Sequence, residues 1–386
     1  MSPISPAAPV SRRALLTATA AGVVTAVASP ARATAPAPAP SPRRAVGPWD
    51  QFHTVGRVKA AADGAAQYTW PGIYFEARFR GTGVGVALDD YNNDYDIQID
   101  GTTATTLVTP GRTTAWVNGL ANTEHRVRLV KRTESPWGAG RFSGFVAASG
   151  GAILAKPPAR SRQIEFIGDS FTAGYGNVST TRDCSNNGGV NRNSNAGLAF
   201  GSLTAQNFNA DYQLNAYSGL GMVRNYNGGN ATVDFRTYYD RALLNIDGDI
   251  WQKPDTWLPQ VVVVGLGIND FSTSLNGGER WTTQDALVAA YESAYHGFLD
   301  RLRARYGPST YIVVGATLLS NTTAFAQAAQ RIVQERNRRG DSLVRYWYYD
   351  DPGLDRLGCD WHPSLNDHRI VSRLLNSYLA TLPLRW

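Results

Sequence analysis

The chain has 386 residues, 43% of them hydrophobic, with 37 Lys and Arg against 31 Asp and Glu, which gives a net charge of +6. This length exceeds a typical single core, so we expect two domains. No basic run interleaved with aromatic residues occurs in the sequence, which argues against a nucleic-acid-binding protein.

Residues 1–33 predict an export signal. Ser-Arg-Arg at 11–13 begins a twin-arginine pattern, a moderately apolar run covers 14–27, and Ala-Arg-Ala at 31–33 offers a cleavage site. The alternative is a membrane anchor, but the run is too short and too rich in Ala and Thr, since a span needs about 20 strongly apolar residues. Cleavage removes three arginines and no acid, so the net charge falls from +6 to +3. We therefore expect a secreted protein with no membrane contact after the signal is removed.

Short alternating runs follow a linker. Residues 34–48 are rich in Ala and Pro and predict an extended tether. In the runs 73–79, 84–88 and 95–99, apolar residues occupy every second position, and an Asp-Gly pair at 100–101 supplies hairpin-turn chemistry. Residues 49–155 therefore predict a small, jelly-roll-like β-sandwich domain.

The pattern changes at Lys156-Pro157-Pro158, which we interpret as the junction to a second domain, 156–386. Strands and helices alternate beyond it. The predicted strands are 164–167, 212–216, 261–265, 311–316 and 344–349, and the predicted helices are 195–209, 284–306, 323–339 and 366–382. The strands are apolar throughout, which indicates burial on both faces. This predicts a three-layer α/β/α fold with a parallel sheet and with functional loops at the carboxyl ends of its strands.

Ser170 is a candidate nucleophile. It follows the predicted strand 164–167 through Gly168-Asp169, so it lies on the turn that leaves the strand's carboxyl end. A serine after Gly-Asp more often marks only a turn or a helix cap. The pattern also differs from the Gly-x-Ser-x-Gly elbow of α/β-hydrolases, because Thr172 occupies the last position.

Asp360 and His362 are candidates for the acid and base of a catalytic triad. Two residues apart on an extended segment, their side chains project the same way, so a carboxylate oxygen can accept from imidazole Nδ1 and leave Nε2 for the serine proton. The alternative is an ordinary surface histidine beside an acid. The other histidines lack a comparable arrangement; they are His53, His125, His296 and His368.

Asn269 and Gly219 are candidate donors to an oxyanion. Asn269 follows the strand 261–265 and a glycine-rich turn, and a side-chain amide there can donate to a developing negative charge. Gly219 follows the strand 212–216 and offers a backbone N–H. Each of these residues alone is equally typical of an ordinary turn.

Taken together, the four blocks resemble those of SGNH (GDSL-type) hydrolases: Gly168-Asp169-Ser170, Gly219, Gly267-Ile268-Asn269-Asp270 and Asp360-Trp361-His362. The preceding β-sandwich and the Asp-Trp-His-Pro block resemble carbohydrate esterase family 2, over about residues 49–386. The family's members are exported esterases that remove O-acetyl groups from plant-wall polysaccharides such as xylan and glucomannan.

The resemblance implies a role for each matching residue. Ser170 would be the nucleophile, His362 the general base and Asp360 the residue that orients it. The oxyanion hole would be formed by the N–H groups of Ser170 and Gly219 and the side chain of Asn269. Trp361 matches an aromatic residue that contributes to sugar binding. Tyr238 and Tyr239 are further candidates for the cleft, although tyrosine is also common in cores.

Cys184 and Cys359 are the only cysteines. Cys359 precedes Asp360, and Cys184 lies in the loop after the nucleophile motif, so the two must lie close together if Ser170 and His362 meet. In an exported protein a disulfide persists, and we expect one between them. The alternative is two free thiols, because the presence of only two cysteines does not by itself indicate a disulfide framework.

These features predict an exported serine esterase that acts on an acetylated polysaccharide or oligosaccharide. It would need no metal or other cofactor and would have no nucleic-acid partner, and a monomer is our default expectation. Two alternatives stay open. The substrate could be a different ester, such as O-acetylated peptidoglycan or a small lipid ester, because fold does not fix substrate. The chain could also be a non-catalytic carbohydrate-binding protein.

Overall fold

A computed structural model describes residues 48–386, and the compact unit to which they belong spans Val46–Trp386. The predicted twin-arginine signal and all but the last residue of the predicted linker lie outside the described residues. Within residues 48–386, no helix has both the length and the apolar character that a membrane span requires.

An antiparallel sheet of nine strands comes first. Its strands are β1 His53–Val55, β2 Lys59–Ala60, β3 Ala66–Tyr68, β4 Tyr74–Asp90, β5 Asp94–Ile99, β6 Thr102–Val108, β7 Gly111–Lys131, β8 Gly140–Ala147 and β9 Ala152–Ile153. The order is β2-β3-β8-β4-β7-β5-β6, and β1 and β9 both pair with β4. The runs 73–79 and 84–88, predicted as two strands, belong to the single strand β4. An irregularity in the pairing between Gly81 and Gly83 lets the strand continue where alternation is interrupted.

A parallel sheet of five strands follows the predicted junction. Its strands are β10 Gln163–Gly168, β11 Asp211–Ala216, β12 Val261–Val264, β13 Tyr311–Thr317 and β14 Val344–Tyr349. Their order is β11-β10-β12-β13-β14, and every pair is parallel. The predicted strands are confirmed to within one residue at each end, because runs that are buried on both faces carry a strong local signal.

Helices pack against both faces of the parallel sheet, as the predicted fold class requires. The helices of the described residues are α1 Ser170–Ala173, α2 Gly189–Arg192, α3 Phe200–Asn207, α4 Phe235–Tyr238, α5 Ile268–Phe271, α6 Gln284–Tyr306, α7 Ala324–Arg338 and α8 Leu365–Ala380. Of these, α6 and α7 pack on one face and α3 and α8 on the other. Val262 and Val264 of β12 pack in the core that contains α6 and α7. Val261 and Val263 pack in the core that contains α3 and α8.

The helix predicted over 195–209 is interrupted. Asn195 caps a short 3-10 helix, Ala196–Leu198, by accepting a hydrogen bond from the N–H of Gly197. Ala199 is then extended, with φ −68° and ψ 156°, and α3 begins at Phe200. The apolar spacing of this segment therefore spans two helices of different type.

The two sheets meet at buried charged groups around Asp211, the first residue of β11. Its carboxylate accepts hydrogen bonds from His53 Nε2 at 2.9 Å, Tyr74 Oη at 2.6 Å and Arg160 Nη1 at 2.8 Å. His53 and Tyr74 belong to the antiparallel sheet, whereas Asp211 belongs to the parallel one. We call these four residues the seam.

Candidate active site

Ser170 is held at the carboxyl edge of the parallel sheet. It is the first residue of α1, and Asp169 caps this helix by accepting a hydrogen bond from the N–H of Phe171 at 3.1 Å. Gly168 is required at the end of β10, because a Cβ there would lie 2.1 Å from Thr172 Oγ1. The end of β10 therefore has no room for a side chain at position 168, and Ser170 itself is only 5% exposed.

His362 lies in the loop between β14 and α8, and its ring contacts Ser170. The distance from Nε2 to Ser170 Oγ is 2.8 Å. On the other side of the ring, Nδ1 lies 2.9 Å from the carbonyl oxygen of Cys359 and 3.2 Å from that of Asp360. Carbonyl oxygens only accept hydrogen bonds, so Nδ1 carries the proton of the neutral imidazole. Nε2 is then free to accept the hydroxyl proton of Ser170.

The expected hydrogen bond between the carboxylate of Asp360 and His362 is a wrong prediction. Among the contacts of residues 48–386, Asp360 Oδ2 accepts from Tyr175 Oη at 2.8 Å and is not hydrogen-bonded to the imidazole. The prediction assumed an extended segment. Asp360 and Trp361 instead have positive φ angles, 52° and 65°, within the 3-10 helix Cys359–Trp361. This turn directs main-chain carbonyls, rather than the carboxylate, at Nδ1.

The surroundings of His362 favour its neutral form. Burial lowers the pKa of the imidazole, and the hydrogen bonds to the two carbonyls oppose only part of that effect. The Tyr175 ring lies 4.2 Å from the His362 ring, and the Phe171 ring lies 5.6 Å from it. A neutral imidazole is the form that can take a proton from a serine.

Asn269 and Gly219 lie on the loops that follow the two neighbours of β10. Asn269 Nδ2 donates to the carbonyl oxygen of Leu220 at 2.9 Å and lies 3.4 Å from Asp169 Oδ2. These contacts bring together the loops after β10, β11 and β12. Gly219 has φ 80°, and a Cβ built there would meet no atom within 4 Å. Its left-handed backbone is therefore suited to glycine and faces open space.

Two buried aspartates hold these loops, and the motif analysis assigned them no role. The Asp270 carboxylate accepts from the backbone N–H groups of Met222, Val223 and Arg224 at 2.8–2.9 Å. Burial raises the pKa of Asp270 to about 6. It also raises the pKa of Asp169 to about 7, with a smaller contribution from the charge of Asp270. Both residues belong to the motifs found in the sequence, but the motifs do not indicate which groups these carboxylates contact.

The predicted disulfide is present. Cys184 and Cys359 are bridged, with their Cα atoms 5.6 Å apart, although they lie 175 positions apart in sequence. Cys359 also supplies the carbonyl oxygen nearest to His362 Nδ1. The bridge thus connects the loop after the nucleophile to the residue that orients the histidine.

Trp361 is an exposed aromatic residue adjacent in sequence to His362. Its side chain is 63% exposed, and the Arg182 guanidinium lies 3.6 Å from the ring centroid. Tyr238 is half-buried against Tyr217, with 5.1 Å between the ring centroids. Tyr239 is fully buried, and its hydroxyl donates to Glu165 at 3.1 Å. Tyr239 is therefore a core residue, which is the alternative that the sequence left open for it.

Known proteins share both parts of this architecture. The carbohydrate esterase 2 N-terminal family profile matches residues 54–157, and that of the GDSL-like lipase/acylhydrolase family matches residues 166–370. The chain is 41% identical over 312 residues to the acetylxylan esterase / glucomannan deacetylase of Cellvibrio japonicus (strain Ueda107), covering 81% of this chain and 84% of that protein. This chain belongs to carbohydrate esterase family 2. It is accordingly a carboxylic ester hydrolase, as the motifs predicted.

Solved structures of family 2 esterases have the same fold. One from Clostridium thermocellum, in complex with cellohexaose, is 30% identical with a TM-score of 0.75, over 85% of this chain and 98% of that chain. Another, from Corynascus thermopiles (Myceliophthora fergusii), carries an additional carbohydrate-binding domain. It is 28% identical with a TM-score of 0.73, over 85% of this chain and 98% of that chain.

Proposed function

We propose that this carbohydrate esterase is exported and removes O-acetyl groups from plant cell-wall polysaccharides such as xylan and glucomannan. The observation that carries the proposal is the 2.8 Å contact between Ser170 Oγ and His362 Nε2 in a chain of this family. The substrate class is supported by the similarity to an acetylxylan esterase / glucomannan deacetylase. Export is supported by the twin-arginine pattern at 11–13.

Acyl transfer would begin at Ser170. His362 Nε2 takes the hydroxyl proton while Oγ bonds to the acetyl carbonyl carbon, whose oxygen becomes negative. The N–H groups of Ser170 and Gly219 and the amide of Asn269 donate to that oxygen. The Asn269 amide donates to Leu220 at 2.9 Å and to Asp169 at a longer 3.4 Å, so it would exchange the longer hydrogen bond for one to the oxyanion. One donor of this kind is typically worth about 10²–10³ in rate.

The sugar then leaves and water completes the cycle. The protonated His362 gives its proton to the sugar oxygen as the bond from that oxygen to the acyl carbon breaks, which leaves an acetyl group on Ser170. A water molecule, deprotonated by His362, attacks this ester. The bond from Ser170 Oγ to the acyl carbon then breaks as His362 returns the proton to Oγ, and acetate is released. Throughout, the carbonyls of Cys359 and Asp360 hold the Nδ1–H, which fixes the ring and stabilises the imidazolium.

Trp361 gives the site a surface for a sugar. An indole ring that is 63% exposed next to the catalytic histidine can stack on the apolar face of a pyranose. Arg182 lies against the ring and, through hydrogen bonds to the carbonyls of Asp355 and Arg356, keeps it in place. The Trp361 ring could thus bind a sugar residue of the polysaccharide while the acetyl group lies against Ser170.

The test is acetate release from acetylated xylan and acetylated glucomannan, with 4-nitrophenyl acetate as a small ester. We expect wild-type enzyme to deacetylate the polymers and Ser170→Ala to lose all activity while folding normally. Ser202→Ala is the matched control. Ser202 lies in α3, is also buried, and donates a hydrogen bond to the main-chain carbonyl of Ala196. It should keep full activity.

Other outcomes would overturn parts of the proposal. Turnover by Ser170→Ala would exclude the serine mechanism. Activity on 4-nitrophenyl acetate but on neither polymer would point to another natural ester, such as O-acetylated peptidoglycan or a lipid ester. Binding to polysaccharide without any hydrolysis would make the chain a carbohydrate-binding protein.

A further inference from the structure

A carboxylate from the antiparallel part of the chain reaches the loop that contains Gly219. Glu134 follows the end of β7, which is Lys131. Its Oε1 accepts a hydrogen bond from the backbone N–H of Ser218 at 2.9 Å, and its Oε2 accepts from the Ser218 hydroxyl. One residue, Ser218, is therefore held at two points by one side chain that lies 84 positions earlier in the sequence.

Ser218 immediately precedes the glycine that we assign to the oxyanion hole. The N–H of Gly219 belongs to the peptide that joins these two residues, so the orientation of Ser218 sets the direction of that N–H. Gly219 has no side chain to anchor it, and the space where a Cβ would stand is open. On its far side, its carbonyl accepts from the N–H of Tyr226 at 2.9 Å. Tyr226 thus holds the peptide that follows the glycine, and Glu134 holds Ser218, the residue that precedes it.

Glu134 is itself firmly placed. Its neighbours Thr133 and Ser135 are 1% and 0% exposed. Thr133 Oγ1 donates to Asn93 Oδ1 at 2.9 Å, and Asn93 Nδ2 donates to Ser135 Oγ at 2.9 Å. Asn93 also donates to Asp90 at 2.7 Å. The loop that presents Glu134 is therefore fastened to the turn between β4 and β5, and its carboxylate can act as a fixed support.

We propose that Glu134 is a positioning residue, supplied by the antiparallel sheet, which holds Ser218 so that the N–H of Gly219 points at the developing oxyanion. A carboxylate suits this task because both of its oxygens accept, and Ser218 presents two donors. A glutamine at position 134 would place an NH₂ group, which cannot accept a hydrogen bond, against one of the two Ser218 donors. The inference rests on the proposed function, and in particular on the assignment of Gly219.

The test compares Glu134→Gln, Ser218→Ala and the double variant with wild type, using 4-nitrophenyl acetate and an acetylated xylo-oligosaccharide. We expect Glu134→Gln to lower kcat about tenfold, less than the loss of a whole donor, with KM changed less than twofold. Because both residues act through one contact, the double variant should be no slower than the slower single variant. The thermal midpoints should stay close to that of wild type.

Asp96→Asn is the matched control. Asp96 also belongs to the antiparallel sheet and accepts from a residue of the parallel part, Asn195, at 3.0 Å. It makes no hydrogen bond to the loop 217–221. We expect its kcat to stay within twofold of wild type.

Several results would overturn the inference. Unchanged kcat in both single variants would do so, as would additive losses in the double variant. A higher KM with unchanged kcat would make Glu134 a substrate contact. An equal loss in Asp96→Asn would mean that any disturbance between the sheets lowers activity. If Glu134→Gln does not fold, Ser218→Ala alone decides. Failure of the proposed function is separate, because it would appear as full activity in Ser170→Ala.

Discussion

The two ends of β11 meet the antiparallel sheet in different ways. At its amino end, Asp211 accepts hydrogen bonds from three buried or half-buried side chains of the seam, among them the Arg160 guanidinium. At its carboxyl end, Ser218 meets one half-buried carboxylate, that of Glu134. A charged group that loses its partner in the interior lowers the stability of the fold by several kcal/mol. A small displacement of a hydrogen-bond donor in an active site instead lowers the catalytic rate. We therefore expect the amino end of β11 to contribute to stability and the loop after its carboxyl end to contribute to catalysis.

Asp211→Asn should give the largest effect. Asparagine keeps one accepting oxygen but replaces the other with an NH₂ group and carries no charge, so Arg160 would lose this ion-pair partner in a buried site. We therefore expect the free energy of unfolding to fall by about 3–5 kcal/mol. The kcat of the folded enzyme should not change. Urea unfolding and steady-state kinetics measure the two quantities. Asp63→Asn, which removes the acid of an exposed pair with Arg141, is the control and should change stability far less. A fall in the kcat of Asp211→Asn at unchanged stability would contradict the structural role that we expect for this residue.

Removal of the disulfide should affect both quantities. In the double variant Cys184→Ser and Cys359→Ser, we expect stability to fall by about 2–4 kcal/mol, because a long loop is no longer closed in the unfolded chain. We also expect a lower kcat, because the backbone at residue 359, whose carbonyl orients His362, is no longer tied to the loop after the nucleophile. Reduction of wild-type enzyme should act in the same direction. If only stability falls, the bridge has no part in positioning the histidine.

The response to pH should also separate activity, through His362, from stability, through Asp211. Burial lowers the pKa of His362, so its neutral form persists below the ordinary histidine value of about 6.5. The acid limb of kcat/KM should therefore have its midpoint below about 6.5. Burial alone would raise the pKa of Asp211, but its hydrogen bonds outweigh this and lower it to about 2.

The stability that Asp211 contributes has a different pH window. Because the folded pKa is lowered, this contribution is complete above the ordinary aspartate value of about 3.9 and is lost as pH falls towards 2. Activity should thus decline at a pH where the fold is intact. Circular dichroism and initial rates over the same pH series test this. Coincident losses of structure and activity would contradict it.

Asp360→Asn should have the smallest effect. Since main-chain carbonyls hold His362 Nδ1, we expect kcat to fall less than about tenfold, whereas loss of a true triad carboxylate costs about 10⁴. Asparagine can still accept from Tyr175, so the turn should persist. Tyr175→Phe is a useful companion, because it removes the same hydrogen bond from the other side. A fall in kcat near 10⁴-fold in Asp360→Asn would show that the Asp360 carboxylate is a member of the catalytic triad.

Much of the fold could be predicted because its signals are local. A strand such as Val261–Val264, or a helix such as Gln284–Tyr306, carries its burial pattern in its own residues. The limits of β4 could not be predicted, since Gly81 and Gly83 read as a break in alternation although the strand continues through them. Ser170 and His362 were predicted and do meet, because the order of parallel strands brings their loops to one edge.

The rest of the site depends on information that a short motif does not contain. The alternation rule failed at Asp360, whose positive φ cannot be read from side-chain types alone. Aspartate tolerates this conformation better than most residues, which is the one local hint. Glu134 lies in a loop of the other sheet, and only the packing of the two sheets brings it to Ser218. No spacing within either segment indicates that contact.

The acceptor for His362 Nδ1 also affects how this enzyme can change during evolution. A side-chain acceptor can be lost through a single codon change, but every amino acid carries a main-chain carbonyl, so substitutions at 359 and 360 leave the acceptor atoms in place. What selection must preserve is the path of the backbone, which many sequences can follow. We therefore expect position 360 to tolerate a loss of charge where the new residue also accepts a left-handed backbone, as asparagine does.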